Sequence, residues 1–96
     1  MDVITAEKQL NDAIRSVGGT LIHLSDDEFK GWAARLGKEL QTLLLEKHRG
    51  SRNFYKKILS EERRAKFPNS HRYSDAEMKL RIYNAQGKAL KTLIDS

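Results

Sequence analysis

The chain reads as an all-α, four-helix bundle-like domain built from two helical hairpins. Three observations lead there. No stretch alternates apolar and polar residues with the period of two that a half-buried strand needs. Apolar residues recur instead at three- and four-residue spacing through most of the 96 positions. The chain also nearly repeats itself. Ser25-Asp26-Asp27-Glu28-Phe29-Lys30 returns as Ser74-Asp75-Ala76-Glu77-Met78-Lys79, at an offset of 49 residues. Gly37-Lys38-Glu39-Leu40-Gln41-Thr42-Leu43-Leu44 returns as Gly87-Lys88-Ala89-Leu90-Lys91-Thr92-Leu93-Ile94, at an offset of 50. Two blocks of similar plan predict two similar hairpins. Capping boxes and Lys/Leu-rich helices also recur by chance in helical proteins, so the repeat suggests a duplication without proving one and bears chiefly on architecture.

The first helix is predicted over residues 5–17. Thr5 can cap it, and Leu10, Ala13, Ile14 and Val17 share a face with Ala6. Gly18-Gly19 supplies a left-handed stop. Residues 20–24 then read as extended, with Leu21 and Ile22 against the core. The second helix is predicted from Ser25 to Lys47. Ser25 and Glu28 form a capping box, and Asp26 and Asp27 favour the positive end of the helix dipole. Phe29, Trp32, Ala33, Leu36, Leu40, Leu43 and Leu44 fall within an arc of roughly 120°. Gly50 is expected to stop this helix.

The third helix is predicted from Ser51 to Lys66. Phe54, Tyr55, Ile58, Leu59 and Ala65 form its core side; Arg52, Lys56, Lys57, Arg63 and Arg64 fill an opposite arc of roughly 140°. Pro68 ends it, because the residue before a proline resists the helical region. The fourth helix is predicted from a second capping box, Ser74 and Glu77, to Ile94. Its apolar positions span a broad arc. Met78, Ile82, Ala85, Ala89 and Leu93 lie on one flank, and Leu80, Tyr83, Leu90 and Ile94 on the other. Such an arc calls for two neighbours, within the bundle or in a homodimer through residues 75–94. Gly37 and Gly87 occupy equivalent places in the repeat, and close helix crossing is one reason for a mid-helix glycine.

Length and composition bound the function. Residues 1–96 make a single helical domain. There is no cysteine, which removes disulfides, cysteine-ligated zinc and a cysteine nucleophile. Met1-Asp2-Val3-Ile4-Thr5 does not read as a signal peptide, and Leu43-Leu44-Leu45, the longest aliphatic run, is far short of a membrane span. A cytoplasmic protein with no membrane contact is the expectation.

Net charge is +5 but unevenly placed. Residues 1–46 carry −3, residues 47–72 carry +7 and residues 73–96 carry +1. A basic centre predicts one polyanion-facing surface. No glycine-rich phosphate loop or His-Glu-x-x-His pair is present. His23 before Asp26, Asp27 and Glu28 resembles metal-ligand spacing, yet those carboxylates read better as helix-start residues. Arg64 and His71 share no helix face because Pro68 separates them. No catalytic residue, metal site or cofactor is assigned, and the protein is read as a non-enzyme.

The candidate binding residues are therefore Arg49, Arg52, Lys56, Lys57, Arg63, Arg64, Lys66, Arg72 and Tyr73. The cations would neutralise phosphates and Tyr73 would stack on a base or staple the next helix. Backbone donors beside Gly50-Ser51 would add an anion seat if a helix began there. The leading expectation is a protein that binds a nucleic acid or another phosphate-rich partner through residues 47–72. The alternative is a small protein–protein interaction module, an inhibitor or regulator of the phage or plasmid accessory type, docking on an acidic protein surface. A broad apolar surface on the last helix favours that second reading.

Overall fold

A computed structural model describes residues 2–96. Four helices follow one another: α1 (Val3–Arg15), α2 (Asp26–Ala34), α3 (Lys38–Arg64) and α4 (Ser70–Asp95). The described residues contain no strand. The all-α class and the helix number agree with the sequence reading, while two of the internal boundaries differ.

Helix α1 begins earlier than predicted. Asp2, not Thr5, is its cap, with Asp2 Oδ1 accepting from the Thr5 amide at 2.7 Å. That hydrogen bond holds the Asp2 carboxyl below its usual range. The glycine stop is present as expected. Gly18 and Gly19 have φ of 103° and 85°, and the Gly19 and Gly18 amides bond back to the Ile14 and Arg15 carbonyls. These two bonds are the Schellman pattern, which needs a residue in left-handed backbone. Residues 20–24 form turns rather than an extended stretch, yet Leu21 is buried. The His23 ring bonds the Val17 carbonyl across this turn at 3.0 Å.

Helix α2 starts with the predicted capping box. Ser25 Oγ accepts from the Glu28 amide at 3.2 Å, and Glu28 Oε1 accepts from the Ser25 amide at 3.0 Å. The helix does not continue to Lys47. It stops at Ala34, and α3 starts anew with Gly37 as a cap that offers no side-chain acceptor. Gln41 supplies the physical reason. Its buried amide nitrogen donates to the Leu36 carbonyl at 3.0 Å, an acceptor the break would otherwise orphan, and to the Ala33 carbonyl at 2.9 Å, which also takes the Leu36 amide.

Helix α3 then runs straight through Gly50, which does not stop it. One exposed glycine costs a helix interior only about 1 kcal/mol, and the packing along 27 residues outweighs that. The turn after α3 is closed by Glu62. Its Oε2 accepts from the Asn69 amide at 2.7 Å and its Oε1 from Arg72 at 2.6 Å. The Asn69 bond, then the Arg72 bond, hold the Glu62 carboxyl below its ordinary range. Asn69 in turn caps α4 through the Arg72 amide at 3.0 Å. Ser74 is consequently an interior residue of α4, and the second capping box does not start a helix.

The long antiparallel pair α3–α4 is the spine, and α1 packs on α3 while α2 packs on α4. The main core gathers Leu10, Leu21, Phe29, Trp32, Ala33, Leu44 and Leu90 from all four helices and the first turn. Trp32 Nε1 also donates to the Ala13 carbonyl at 3.3 Å, tying α2 to α1. A smaller cluster of Ile58, Leu59 and Ala76, flanked by Tyr55, Tyr73 and Leu80, fills the far half of the hairpin. No third helix covers that half, so Phe54 is 58 % exposed rather than on the core side, and Ala65 is exposed as well. The wide arc of α4 finds its two neighbours inside the chain. Leu90 faces the main core, while Ala85, Ala89 and Leu93 line a cleft with Phe29 of α2.

Candidate polyanion interface

The basic face follows from the geometry of α3. Its buried positions, Gln41, Leu44, His48, Ile58, Leu59 and Glu62, define the side turned to the bundle. Arg49, Lys56, Lys57 and Arg64 project elsewhere and are exposed. None of these four has an ion-pair or hydrogen-bond partner among the described residues. Their charge is therefore available to a ligand, subject only to solvent screening.

Arg52 differs from them. It is half-buried, and its guanidinium lies over Gly87 of α4, with Nη1 3.5 Å from where a Cβ on that glycine would sit. Gly87 thus meets an α3 side chain, not the α3 backbone, and Gly37 has no neighbour within 4 Å. The close backbone crossing expected at the two glycines does not occur. Beside Arg52 a groove of about 340 Å³ opens between α3 and α4. Arg49 and Arg52 of α3 line it together with Lys88 and Lys91 of α4; Asp95 is its one carboxylate, and Leu45 and Ile94 give it apolar surface. Sequence reasoning missed Lys88 and Lys91 because residues 73–96 are nearly neutral when counted along the chain. Only the antiparallel pairing places them beside Arg49 and Arg52. The signal available was the helical hairpin itself, which brings the end of α4 back to the middle of α3.

The remaining candidates lie at the other end of the hairpin. Arg63 donates through Nε and Nη2 to the Tyr73 hydroxyl at 3.3 and 3.2 Å. Tyr73 is half-buried on the small cluster, packed as a core-side residue rather than presented as an open stacking platform. Arg72 pairs with Glu62 and, at 3.3 Å, with Glu61, so two carboxylates already balance its charge. Lys66 lies in the turn with its ammonium 5.8 Å from the centre of the Phe67 ring. Gly50 and Ser51 are inside α3, and the helix start that would have offered their amides to an anion does not exist.

A buried polar chain links α3, α4 and the turn after α1. The Leu21 carbonyl can only accept, so it takes the Gln86 amide nitrogen at 2.8 Å. Gln86 Oε1 then faces His48 Nε2 at 2.7 Å, and the imidazole must carry its proton on Nε2. Burial lowers the His48 pKa below its usual 6.5; the Gln86 bond opposes that shift and nearby Arg52 adds to it. His48 meets Tyr83 edge-on at 4.9 Å and the tilted Phe29 ring at 6.1 Å. Tyr83 stacks with Tyr55 at 5.9 Å, and the Lys79 ammonium lies 5.7 Å from the Tyr55 ring. These groups support the spine and are not aimed into the groove.

No cluster of three or more His, Asp or Glu side chains suited to a metal occurs among the described residues, and no described helix is long and apolar enough to cross a membrane. The chain matches no protein-family model, and comparison with curated proteins and with solved structures returned no significant match.

Proposed function

We propose that this protein is a non-enzymatic binding protein that engages a nucleic acid through the basic face of α3. The observation that carries the reading is the set of exposed, unpartnered cations Arg49, Lys56, Lys57 and Arg64 on a helix whose opposite side is core. Cations spread along a rigid helix suit a repeating line of phosphates. Such contacts fix position and affinity without reading bases.

The test is fluorescence anisotropy with labelled DNA and RNA of random sequence over a range of salt. Binding should weaken steeply as salt rises, and each phosphate contact removed should lower the log–log salt slope by roughly 0.7–0.9. The Lys56→Glu/Arg63→Glu/Arg64→Glu variant should lose binding while keeping its helicity. Absence of salt-dependent binding by the unaltered protein would defeat the reading.

One feature favours a second reading, a protein partner with an acidic surface. Phe54, Phe67 and Met78 are 58 %, 86 % and 48 % exposed near the basic end of the hairpin. Apolar anchors flanked by charge suit a protein interface better than a phosphate backbone. A pull-down that keeps its partner after nuclease treatment, and loses it with Phe54→Ser/Met78→Ser, would select this reading over the first.

A further inference from the structure

We infer that the groove between α3 and α4 is a discrete phosphate seat, with Arg52 as its central ligand and Lys88 and Lys91 as the contribution of α4. The inference rests on the proposed polyanion function and deepens it. Most exposed cations on this protein are surrounded by water and need no partner. Arg52 is different, because it is half-buried and its guanidinium lies beside Gly87, with Nη1 3.5 Å from where a Cβ on that glycine would sit. A guanidinium carries five donors and no acceptor. None of the Arg52 donors reaches an acceptor among the described residues. Arg49, Lys88 and Lys91 line the same groove, and only Asp95 offsets the four cations.

Like charges repel, so such a cluster raises the energy of the empty groove and favours an anion that can touch several of them together. A phosphate matches it best. Its oxygens take the planar fork of an arginine bidentately, while lysines add point charges from the sides. Gly87 fits the same picture. Without a side chain, α4 presents bare backbone to the groove there, and an alanine Cβ would lie in ordinary contact with the guanidinium, 3.5 Å from Arg52 Nη1. The ligand chemistry is therefore a phosphoryl group, either from a nucleic-acid backbone or from a small phosphorylated molecule.

The experiment compares three variants with the unaltered protein, each first checked for helicity by circular dichroism. Lys88→Gln/Lys91→Gln removes the α4 half of the seat. Arg52→Lys keeps the charge but loses the fork. Lys57→Gln/Arg64→Gln removes the same charge from elsewhere on α3. With a labelled single-stranded oligonucleotide, the groove pair should weaken binding about tenfold and lower the salt slope by roughly 1.4. Arg52→Lys should weaken it several-fold, and the control pair should do less than the groove pair. Equal losses in both pairs with a neutral Arg52→Lys would overturn the seat while leaving nucleic-acid binding intact. A second arm titrates inorganic pyrophosphate and follows the Gly87 amide and the Arg52 Nε–H by NMR. Localised shifts there support the seat even if the oligonucleotide does not bind, and then assign it to a small phosphorylated ligand. No shift at either group, with no oligonucleotide binding, overturns both.

Discussion

The two look-alike segments of this chain, residues 25–44 and 74–94, take up different structures. The first is a short helix, a break and a new helix; the second lies within one unbroken helix. Ser25 starts α2, whereas Ser74 sits a turn inside α4. Phe29 is 1 % exposed in the main core, but its counterpart Met78 is 48 % exposed. Gly37 is an exposed cap, whereas Gly87 is buried beneath Arg52. The decisive difference is one residue. Gln41 folds its amide back onto the carbonyls that end α2, while Lys91 at the matching place has no such acceptor in reach and lines the basic groove. Similar sequence blocks thus specify helix in both places, and the long-range context decides where each helix begins and ends.

The comparison can be broken most directly at Gln41. Gln41→Leu keeps the side-chain volume but leaves the Leu36 carbonyl without its donor and the Ala33 carbonyl with backbone donors alone, and should destabilise by about 2 kcal/mol in urea unfolding. Lys91→Gln should change stability by less than about 0.5 kcal/mol. If Gln41→Leu gains helicity and loses no stability, the break between α2 and α3 has another cause.

The caps come next in size. Ser25→Ala should cost about 1 kcal/mol, because the Glu28 amide loses its acceptor. Ser74→Ala should be neutral or stabilising by about 0.5 kcal/mol, since alanine is the better residue inside a helix. Asn69→Ala should behave like Ser25→Ala. Thermal melts in which Ser74→Ala and Ser25→Ala fall together would restore symmetry between the two blocks.

The glycines should give smaller and opposite shifts. Gly87→Ala is expected to stabilise by up to about 1 kcal/mol, because the added Cβ meets the Arg52 guanidinium only in ordinary contact. Gly37→Ala should cost a few tenths of a kcal/mol at its cap position. Gly50→Ala, with nothing within 4 Å of the added methyl, is the reference for the full gain of about 1 kcal/mol. A Gly87→Ala loss of stability, against a Gly50→Ala gain, would show that this face of α4 is packed more tightly than its 3.5 Å clearance to Arg52 implies.

Acid sharpens the comparison at Leu36 and its counterpart Gln86. Leu36 offers only its carbonyl to Gln41, whereas Gln86 holds the buried imidazole of His48. The folded pKa of His48 lies below the ordinary 6.5, so the unfolded chain takes up the proton first as pH falls. Stability present above about pH 6.5 is therefore lost progressively below it, down to the folded value, and the effect is nil at higher pH. Glu28 and Glu62 have pKa values lowered from 4.5 and act only in stronger acid. Urea unfolding at pH 7 and pH 5.5 should differ, and His48→Gln should remove that difference.

The sequence revealed as much as local signals can carry. The capping box at Ser25, the Gly18-Gly19 stop and the apolar stripe of Phe29, Trp32, Ala33 and Leu44 all act over a few residues and were readable. The break at residues 35–37 was not, because its one local mark, Gly37, offers no side-chain cap and reads equally as a mid-helix glycine; the amide that supports the break comes from Gln41. The early start of α4 was hidden for the same reason, since Glu62 of α3 organises the turn before Asn69. For the candidate interface, the α3 half followed from helical arithmetic. Lys88 and Lys91 needed the pairing of two helices, and the capture of Arg72 by Glu61 and Glu62 needed it as well.

The uneven core has a consequence for how the molecule opens. Four helices enclose the base of the α3–α4 hairpin, while the far half rests on the smaller cluster of Ile58, Leu59 and Ala76 with Tyr55, Tyr73 and Leu80 at its edge. Amide hydrogen exchange should therefore be graded along each long helix. Protons near Leu44 and Leu90 should exchange only through global unfolding, and those between Ile58 and Ala76 through cheaper partial opening. The far half would then fray and reclose many times within one lifetime of the base. A partner that grips Lys56 and Arg63 would slow exchange there first and leave the base unchanged.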